Sequence, residues 1–205
     1  MSTRIDVRRE KIMDAALEVF REEGFERASI DKIVERSGGS KATLYKLFAN
    51  KEGLFFAILR RAADRIGEAE RPAGLPADAM ELRALLTAIG SGIVRNVLTE
   101  RIIGLYQLAV EGARHLPELG RLYFDGGPRK AQGDFALLLE EIRKTGLLAF
   151  DDGELAARFF FGMLLDKHHL AMSLGVAEEI DEAEAARLVR GAVEVFMKAY
   201  SPGAA

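Results

Sequence analysis

Hydrophobic residues recur along this chain with the spacing of helices, not of strands. Ile12, Ala15, Ala16, Val19 and Phe20 fall at i, i+3, i+4, i+7 and i+8, which places them on one stripe of a helix. Gly24 supplies the left-handed residue that ends such a helix, and Phe25 covers the end. Ser29 is placed to cap a second helix with its hydroxyl, and Asp31 adds negative charge to the first turn. That helix is short, because Gly38-Gly39 follows. Ser40 is placed to cap a third helix, from Lys41 to about Leu47. Asn50 is placed to cap a fourth, which carries Leu54, Phe55, Ile58, Leu59 and Ala62 toward Glu70.

The segment from Arg71 to Pro76, with two prolines and a glycine, is the clearest break in the pattern. Beyond it the periodicity predicts helices near 78–96, 99–115, 117–145, 152–174 and 181–200, punctuated by Thr99, Pro117, Gly146, Asp151 and Gly175. Asp181 and Glu184 stand in a capping-box arrangement. Gly126-Gly127-Pro128 is expected to kink or break the 117–145 segment, since proline removes an amide donor and clashes with the preceding turn. The expected fold is all-α, with about nine helices and no sheet. Residues 1–50 form a three-helix domain, and 51–205 a larger helical domain.

Composition narrows the class. Of 205 residues, 49% are hydrophobic and 30% charged, which gives a real core and a polar surface and excludes global disorder. The longest apolar stretch, Phe159 to Leu165, is far short of the ~20 residues of a membrane span. Charges at Arg4 and Asp6 interrupt what would be the apolar core of a signal peptide, so a cytoplasmic location and no membrane partner are expected. Without cysteine there are no disulfides, thiol nucleophiles or sulfur-ligated metals. His168 and His169 beside Asp166 make a poor metal site, because adjacent helix residues point about 100° apart. The chain also lacks G-x-S-x-G, H-E-x-x-H and phosphate-loop motifs, so no enzyme activity, catalytic residue, metal or cofactor is expected. The net charge of −3 is unevenly spread: residues 1–65 carry 14 Lys and Arg against 11 Asp and Glu, and the remaining 140 carry 15 against 21. A basic end on an acidic body suits an oriented nucleic-acid binder.

The informative stretch is Ser29 to Lys51. Ile30, Ile33, Val34, Leu44 and Phe48 would pack two short helices, joined by the Gly-Gly turn, against the first helix. A helix-turn-helix uses this geometry to project its second helix into the major groove while the first braces the backbone. The outward residues of the second helix are Ser40, Lys41, Thr43, Tyr45 and Lys46, groups suited to phosphates, base edges or a thymine methyl. Residue types alone leave a second reading open, a helical hairpin with a solvated polar face.

The run from Gly38 to Leu54, GGSKATLYKLFANKEGL, closely resembles the N-terminal DNA-binding domain of TetR/AcrR-type regulators. So does the preceding pattern of Ile12 to Ala16, Phe20, Gly24-Phe25, Ser29-Ile30 and Ile33, so that the resemblance covers about residues 8–60. It implies that Lys41, Ala42 and Thr43 open the recognition helix at the groove. Tyr45 would press on the backbone or a base, Lys51 would meet a phosphate, and Ser29 would cap the bracing helix and touch a phosphate. Position 39 is Gly where the family has a small aliphatic residue, which is expected to loosen the turn. Position 47 is Leu where a polar aromatic often contacts phosphate, with Lys46 as the substitute.

From Leu105 to Leu119, then at Tyr123-Phe124 and Gly127-Pro128, the chain resembles the effector domain of the AefR-like branch of this family. The resemblance implies a dimeric, ligand-responsive repressor on a palindromic operator in double-stranded DNA, released by a small hydrophobic or amphipathic effector. Ligand and DNA affinities are then reciprocally coupled, with the fourth helix as the lever. Tyr106, His115, Tyr123, Phe124, Phe159, Phe160 and Met163 are the candidate ligand contacts by residue type and position. The last two helices would form the homodimer interface through Phe161, Leu165, His168, Val189, Ala192, Val193, Phe196 and Tyr200, the other reading being that the stripe on the final helix only covers its own core. The alternative is a helical architectural or adaptor protein that binds DNA without an effector.

Overall fold

A computed structural model of the chain describes residues 4–68, 74–114, 116–177 and 179–203, with backbone alone at 63–68 and 166. Among the described residues there are ten α-helices and no strand: α1 (Arg4–Arg27), α2 (Ile30–Ser37), α3 (Lys41–Phe48), α4 (Lys51–Glu68), α5 (Ala79–Val97), α6 (Glu100–Ala113), α7 (Pro117–Phe124), α8 (Lys130–Lys144), α9 (Gly153–Ser173) and α10 (Glu182–Tyr200). The expected end of α4 at Glu70 and residues 71–73 of the expected break lie outside the described residues.

Most caps act where the sequence puts them. The Ser29, Ser40 and Asn50 side chains accept from the amides of Lys32, Thr43 and Gly53 at 3.2, 3.2 and 2.7 Å. Thr99 Oγ1 accepts from the Ile102 amide at 3.3 Å. Gly24, at φ 78° and ψ 160°, breaks the helical path of α1 as expected, and one further turn, closed by the Ala28 amide on the Gly24 carbonyl at 3.2 Å, follows to Arg27. Two details differ from expectation. The cap of α9 is Asp152, which accepts from the Leu155 amide at 2.9 Å, in place of Asp151. Asp181 caps α10 through the Glu184 amide at 2.8 Å, but the Glu184 carboxylate turns to Arg187 at 2.6 Å and leaves the capping box half made.

The expected 117–145 helix is two helices. Asp125–Arg129 forms a single π-helical turn between α7 and α8, with Pro128 inside it. A wider turn accommodates a ring that has no amide to donate. That division raises the count from nine to ten.

The chain divides into two compact units. The first comprises Met1–Ala63 with Gly104–Gly127, the second Asp64–Ile103 with Pro128–Ala205. In the first, Phe20 and Phe25 from α1 and Phe55 from α4 close a triangle of rings with centroids 5.3, 5.4 and 6.0 Å apart. All three are buried, so α4 is held to α1 by apolar area and by edge-to-face ring contacts. Arg61 of α4 adds an ionic tie: Nη1 lies 2.8 Å from Glu10 Oε2, and Nη2 2.8 Å from Asp14 Oδ1, both on α1.

The second unit is a bundle of α5, α8, α9 and α10. Its core runs through Leu82, Leu86 and Ile89, then Phe135 and Leu139, Phe160 and Leu164, and Val193 and Phe196. Phe160 lies tilted against Phe135 and edge-to-face with Phe196, with centroids 5.1 and 5.2 Å apart. At the end of the bundle the Ala149 amide donates to the Tyr200 carbonyl at 2.8 Å, which fastens the close of α10 to the segment before α9.

Candidate nucleic-acid interface

The turn between α2 and α3 is closed by backbone geometry. Gly38 is left-handed at φ 69° and ψ 46°, and its amide donates to Glu35 O while the Gly39 amide reaches Val34 O at 3.1 Å. This is a Schellman arrangement, and it needs a residue without a Cβ at position 38. Ser40 then caps α3 and shares a 3.0 Å hydrogen bond with the Thr43 hydroxyl.

The inner faces are apolar. Ile33, Leu44 and Phe48 are buried within the first unit. The outer face of α3 presents Lys41, Ala42, Tyr45 and Lys46 to solvent, with Thr43 half-buried beside them. Two cations, a hydroxyl and a phenol therefore share one exposed surface at the start of, and along, a two-turn helix. Ion pairs brace α2 against α1: the Arg36 guanidinium meets the Glu22 carboxylate with two bonds of 2.7 and 2.8 Å, and Lys32 pairs with Glu23. The hydrogen bond from Arg36 lowers the Glu22 pKa from its ordinary value.

Lys41 and Lys51 occupy different environments. The Lys41 ammonium is 2.6 Å from Asp31 on α2, and the hydrogen bond to that carboxylate raises its pKa. Lys51 is turned inward. Its Nζ donates to the carbonyls of Phe25, Glu26 and Ala28 at 2.8, 3.0 and 3.3 Å and lies 4.6 Å from the centroid of the Phe25 ring. The ammonium expected at a phosphate is thus engaged with the end of α1. Ser29 keeps its capping bond and is half-buried.

The candidate ligand contacts are dispersed. Tyr106 and Tyr123 pair in the first unit with ring centroids 5.9 Å apart, and burial, aided by Tyr106, pushes the Tyr123 phenol up to about 12. Phe124 is exposed. His115 lies outside the described residues. In the second unit Phe160 is fully buried in the core. Phe159 and Met163 instead line an apolar groove of about 750 Å³ between α9 and α10, with Gly162, Leu188, Gly191 and Val195.

The residues expected at a dimer surface also separate. Phe161, Val189, Ala192, Val193 and Phe196 are buried in the core of their own unit, and Leu165 and Tyr200 are half-buried against it. Ala192, Phe196 and Tyr200 form the floor of the groove, whereas its open wall comes from Phe159, Gly162, Gly191 and Val195. His168 is half-buried, with Nε2 3.6 Å from Glu184. The stripe read from sequence is therefore the inward face of α10, and the surface open to a partner lies on the flank next to α9. Arg8 and Arg9, which contact the helix-turn-helix, carry no distinguishing pattern in the sequence. Among the described residues no three potential metal ligands converge, and no helix is long and apolar enough to cross a membrane.

Comparison with known proteins places this geometry. Residues 12–58 match the bacterial regulatory proteins of the tetR family, and residues 84–202 match the C-terminal domain of AefR-like transcriptional repressors. The transcriptional repressor ComR of Escherichia coli K12 is 44% identical over 57 residues, 28% of this chain and 27% of its own length. The chain thus spans about a quarter of that curated relative. A TetR transcriptional regulator from Agrobacterium tumefaciens superposes with a TM-score of 0.77 at 26% identity, over 97% of this chain and 96% of its own. The flavonoid-responsive regulator FrrA superposes with a TM-score of 0.75 at 25% identity, over 96% of this chain and 98% of its own.

Proposed function

The chain belongs to the tetR family of bacterial regulatory proteins, and on that premise we propose that it is a DNA-binding transcriptional regulator, a ligand-responsive repressor of a palindromic operator. One observation carries the reading. The outer face of α3 gathers Lys41, Thr43, Tyr45 and Lys46 while Leu44 and Phe48 anchor its inner face, the division that a recognition helix requires. Residues 1–50 do the reading, and 51–205 hold the effector and the partner. Lys41, Ala42 and Thr43 open the helix at the groove, where Lys41 also reaches a phosphate, and Tyr45 and Lys46 meet phosphates or bases. The hydroxyl of Ser29, whose oxygen already accepts an amide, keeps a proton to donate to the backbone, and so does that of Ser40 when Thr43 is the donor in their shared hydrogen bond. Lys51 supports this surface from behind.

A palindrome is read by two copies. The groove between α9 and α10 supports a homodimer, because Gly162 and Gly191 leave open space where a side chain would stand and allow close approach of a partner helix. The Tyr106–Tyr123 pair, two rings that each carry a hydroxyl, supports an amphipathic effector, as does the name of the flavonoid-responsive neighbour. Tyr106 and Tyr123 are the contacts favoured for it. Arg61 and the Phe55 ring make α4 the element through which occupancy reaches α1.

Selection of bound sequences from a random duplex library at near-physiological salt tests the reading, because phosphate contacts alone fall steeply with ionic strength. An inverted repeat is the expected product. Recovery of no motif refutes sequence-specific regulation. Compounds that raise the melting temperature are then screened for release of the recovered duplex; a compound that does one without the other argues against coupling.

A further inference from the structure

The first turns of α1 send two guanidinium groups to the helix-turn-helix. The Arg9 guanidinium lies 5.0 Å from the centroid of the Phe48 ring, at the end of α3. Arg8 reaches the turn at the middle of the motif: its Nη1 donates to the backbone carbonyl of Ser37, the last residue of α2, at 2.9 Å. That carbonyl is among those a helix end leaves without an intrahelical donor. The amides of Gly38 and Gly39 are already directed to Glu35 and Val34, so they close the turn without serving Ser37. Arg8 supplies the missing donor.

The route to Ser37 passes over position 39. A Cβ on Gly39 would stand 1.5 Å from Arg8 Nη2 and 2.6 Å from its Cζ, so the guanidinium fills the volume that any side chain there would occupy. Arg8 Nη2 is closed to solvent and finds no hydrogen-bond acceptor among the described residues. Closing off a donor without a partner is unfavourable, and the arginine is held there by its bond to the Ser37 carbonyl. The departure from the family's aliphatic residue at position 39 therefore does not leave the turn loose. The space is filled from α1.

We propose that Arg8 and Gly39 are a matched pair that sets the α2–α3 turn, with Arg8 a positioning residue for DNA recognition that touches no DNA itself. Its effect on DNA rests on the regulatory reading above, whereas the pair exists in the free protein. An alanine at 39 meets only the end of a flexible side chain, so the chain still folds and the arginine is expelled. Gly39→Ala and Arg8→Ala then produce the same defect. Misplacement of a recognition helix by about 1 Å is enough to degrade specific contacts, while a diffuse phosphate attraction tolerates it.

The experiment uses the full chain as wild type, Arg8→Ala, Gly39→Ala and the double variant. Binding is measured to the duplex recovered by selection and to a random duplex, over a salt series. Each single substitution is expected to lower affinity for the selected duplex roughly tenfold, the double no further, with random-duplex binding and salt slope unchanged. A merely structural loss would lower both duplexes together and overturns the proposal. So do losses that multiply in the double variant, a Gly39→Ala chain that binds as wild type, or a slope reduced by about one in Arg8→Ala, which marks a phosphate contact. Amide hydrogen exchange without DNA supplies the independent arm: faster exchange at residues 38–40, equal in all three variants, is expected, and unequal or unchanged exchange overturns the pairing. If wild type binds neither duplex, the regulatory reading fails, and this arm alone decides whether the pair exists.

Discussion

Lys41 Nζ at the first position of α3 sits 2.6 Å from Asp31 Oδ1, so α2 supplies a counter-ion to the exposed start of α3. Both side chains are more than half exposed, at 54% and 72%, and solvent screens the pair. Its consequence lies in binding more than in stability. A phosphate that takes up Lys41 must displace Asp31 and then tolerate its charge nearby. Asp31→Asn is therefore predicted to raise affinity for all duplexes, by roughly threefold to tenfold at low ionic strength, with the gain fading as salt rises. Titrations of selected and random duplexes at three salt concentrations check this. An Asp31→Asn chain with unchanged or weaker binding to both would mean that Lys41 faces no phosphate.

Lys51 makes the opposite prediction. Its three donors meet three carbonyls, and the ammonium lies over the Phe25 ring. Lys51→Met keeps the aliphatic stem and removes those bonds, which exposes the end of α1. Hydrogen bonds from a charged group contribute about 1.5–3 kcal/mol, and for a chain of this size a loss of about 2 kcal/mol lowers the melting temperature by roughly 4–8 °C. The salt slope of DNA binding should stay as in wild type, since no phosphate contact is removed. A lowered slope with an unchanged melting temperature would assign Lys51 to the DNA after all.

The contrast between these two lysines shows what the sequence carried and what it did not. Periodicity, caps and glycines are local, so Ser29, Ser40, Asn50 and Gly38 disclose α2, α3 and the start of α4 within a residue. The exposed face of α3 follows directly from that register. Gly126-Gly127-Pro128 marks a disruption, but its outcome as a π-helical turn depends on how the neighbouring turns absorb the proline. Long side chains are less legible, because their heads lie several ångströms from their own backbone. Arg8 and Lys51 act on carbonyls 29 and 23–26 positions away, and no local spacing records such a reach. Helix α10 misleads for another reason. Its apolar stripe at Val189, Val193 and Phe196 is genuine, but a stripe does not say whether it faces its own core or a second chain.

That ambiguity is resolved by substituting neighbours. Val193 is buried in the bundle, and Val195, two residues on, stands on the exposed wall of the groove beside Gly191. Val193→Asp places an unpaired charge in the core and should prevent stable folding, whereas Val195→Asp should leave the subunit folded and split the dimer. Sedimentation equilibrium over a hundredfold concentration range separates the two, supported by helicity from circular dichroism. A Val195→Asp chain that sediments as wild type would remove the α9–α10 groove from the proposed interface.

Ala49 joins α3 to α4 with a backbone that alanine seldom adopts, φ 63° and ψ −51°. The Asn50 amide donates to Phe48 O at 2.8 Å across it, a γ-turn, while the Ala49 amide still reaches Tyr45 O at 2.9 Å. The turn is tight because Asn50 must at once leave α3 and cap α4 through the Gly53 amide. Positive φ at a residue with a Cβ costs about 1–3 kcal/mol in this region, and glycine avoids most of it while adding about 0.4–1 kcal/mol of unfolded-state entropy. Ala49→Gly is thus predicted to stabilise the chain by about 1 kcal/mol, and Ala49→Val, branched at Cβ, to destabilise it by at least as much. Denaturant unfolding of the three proteins gives both values. Because Ala49 is exposed and its amide keeps its bond to Tyr45 O, the glycine variant should bind the selected duplex within about twofold of wild type. If Ala49→Gly proves less stable than wild type, the junction is held by something other than the γ-turn and the strain argument is wrong. If it is more stable but binds weakly, the stiffness of Ala49 itself is what holds α3 in register for DNA.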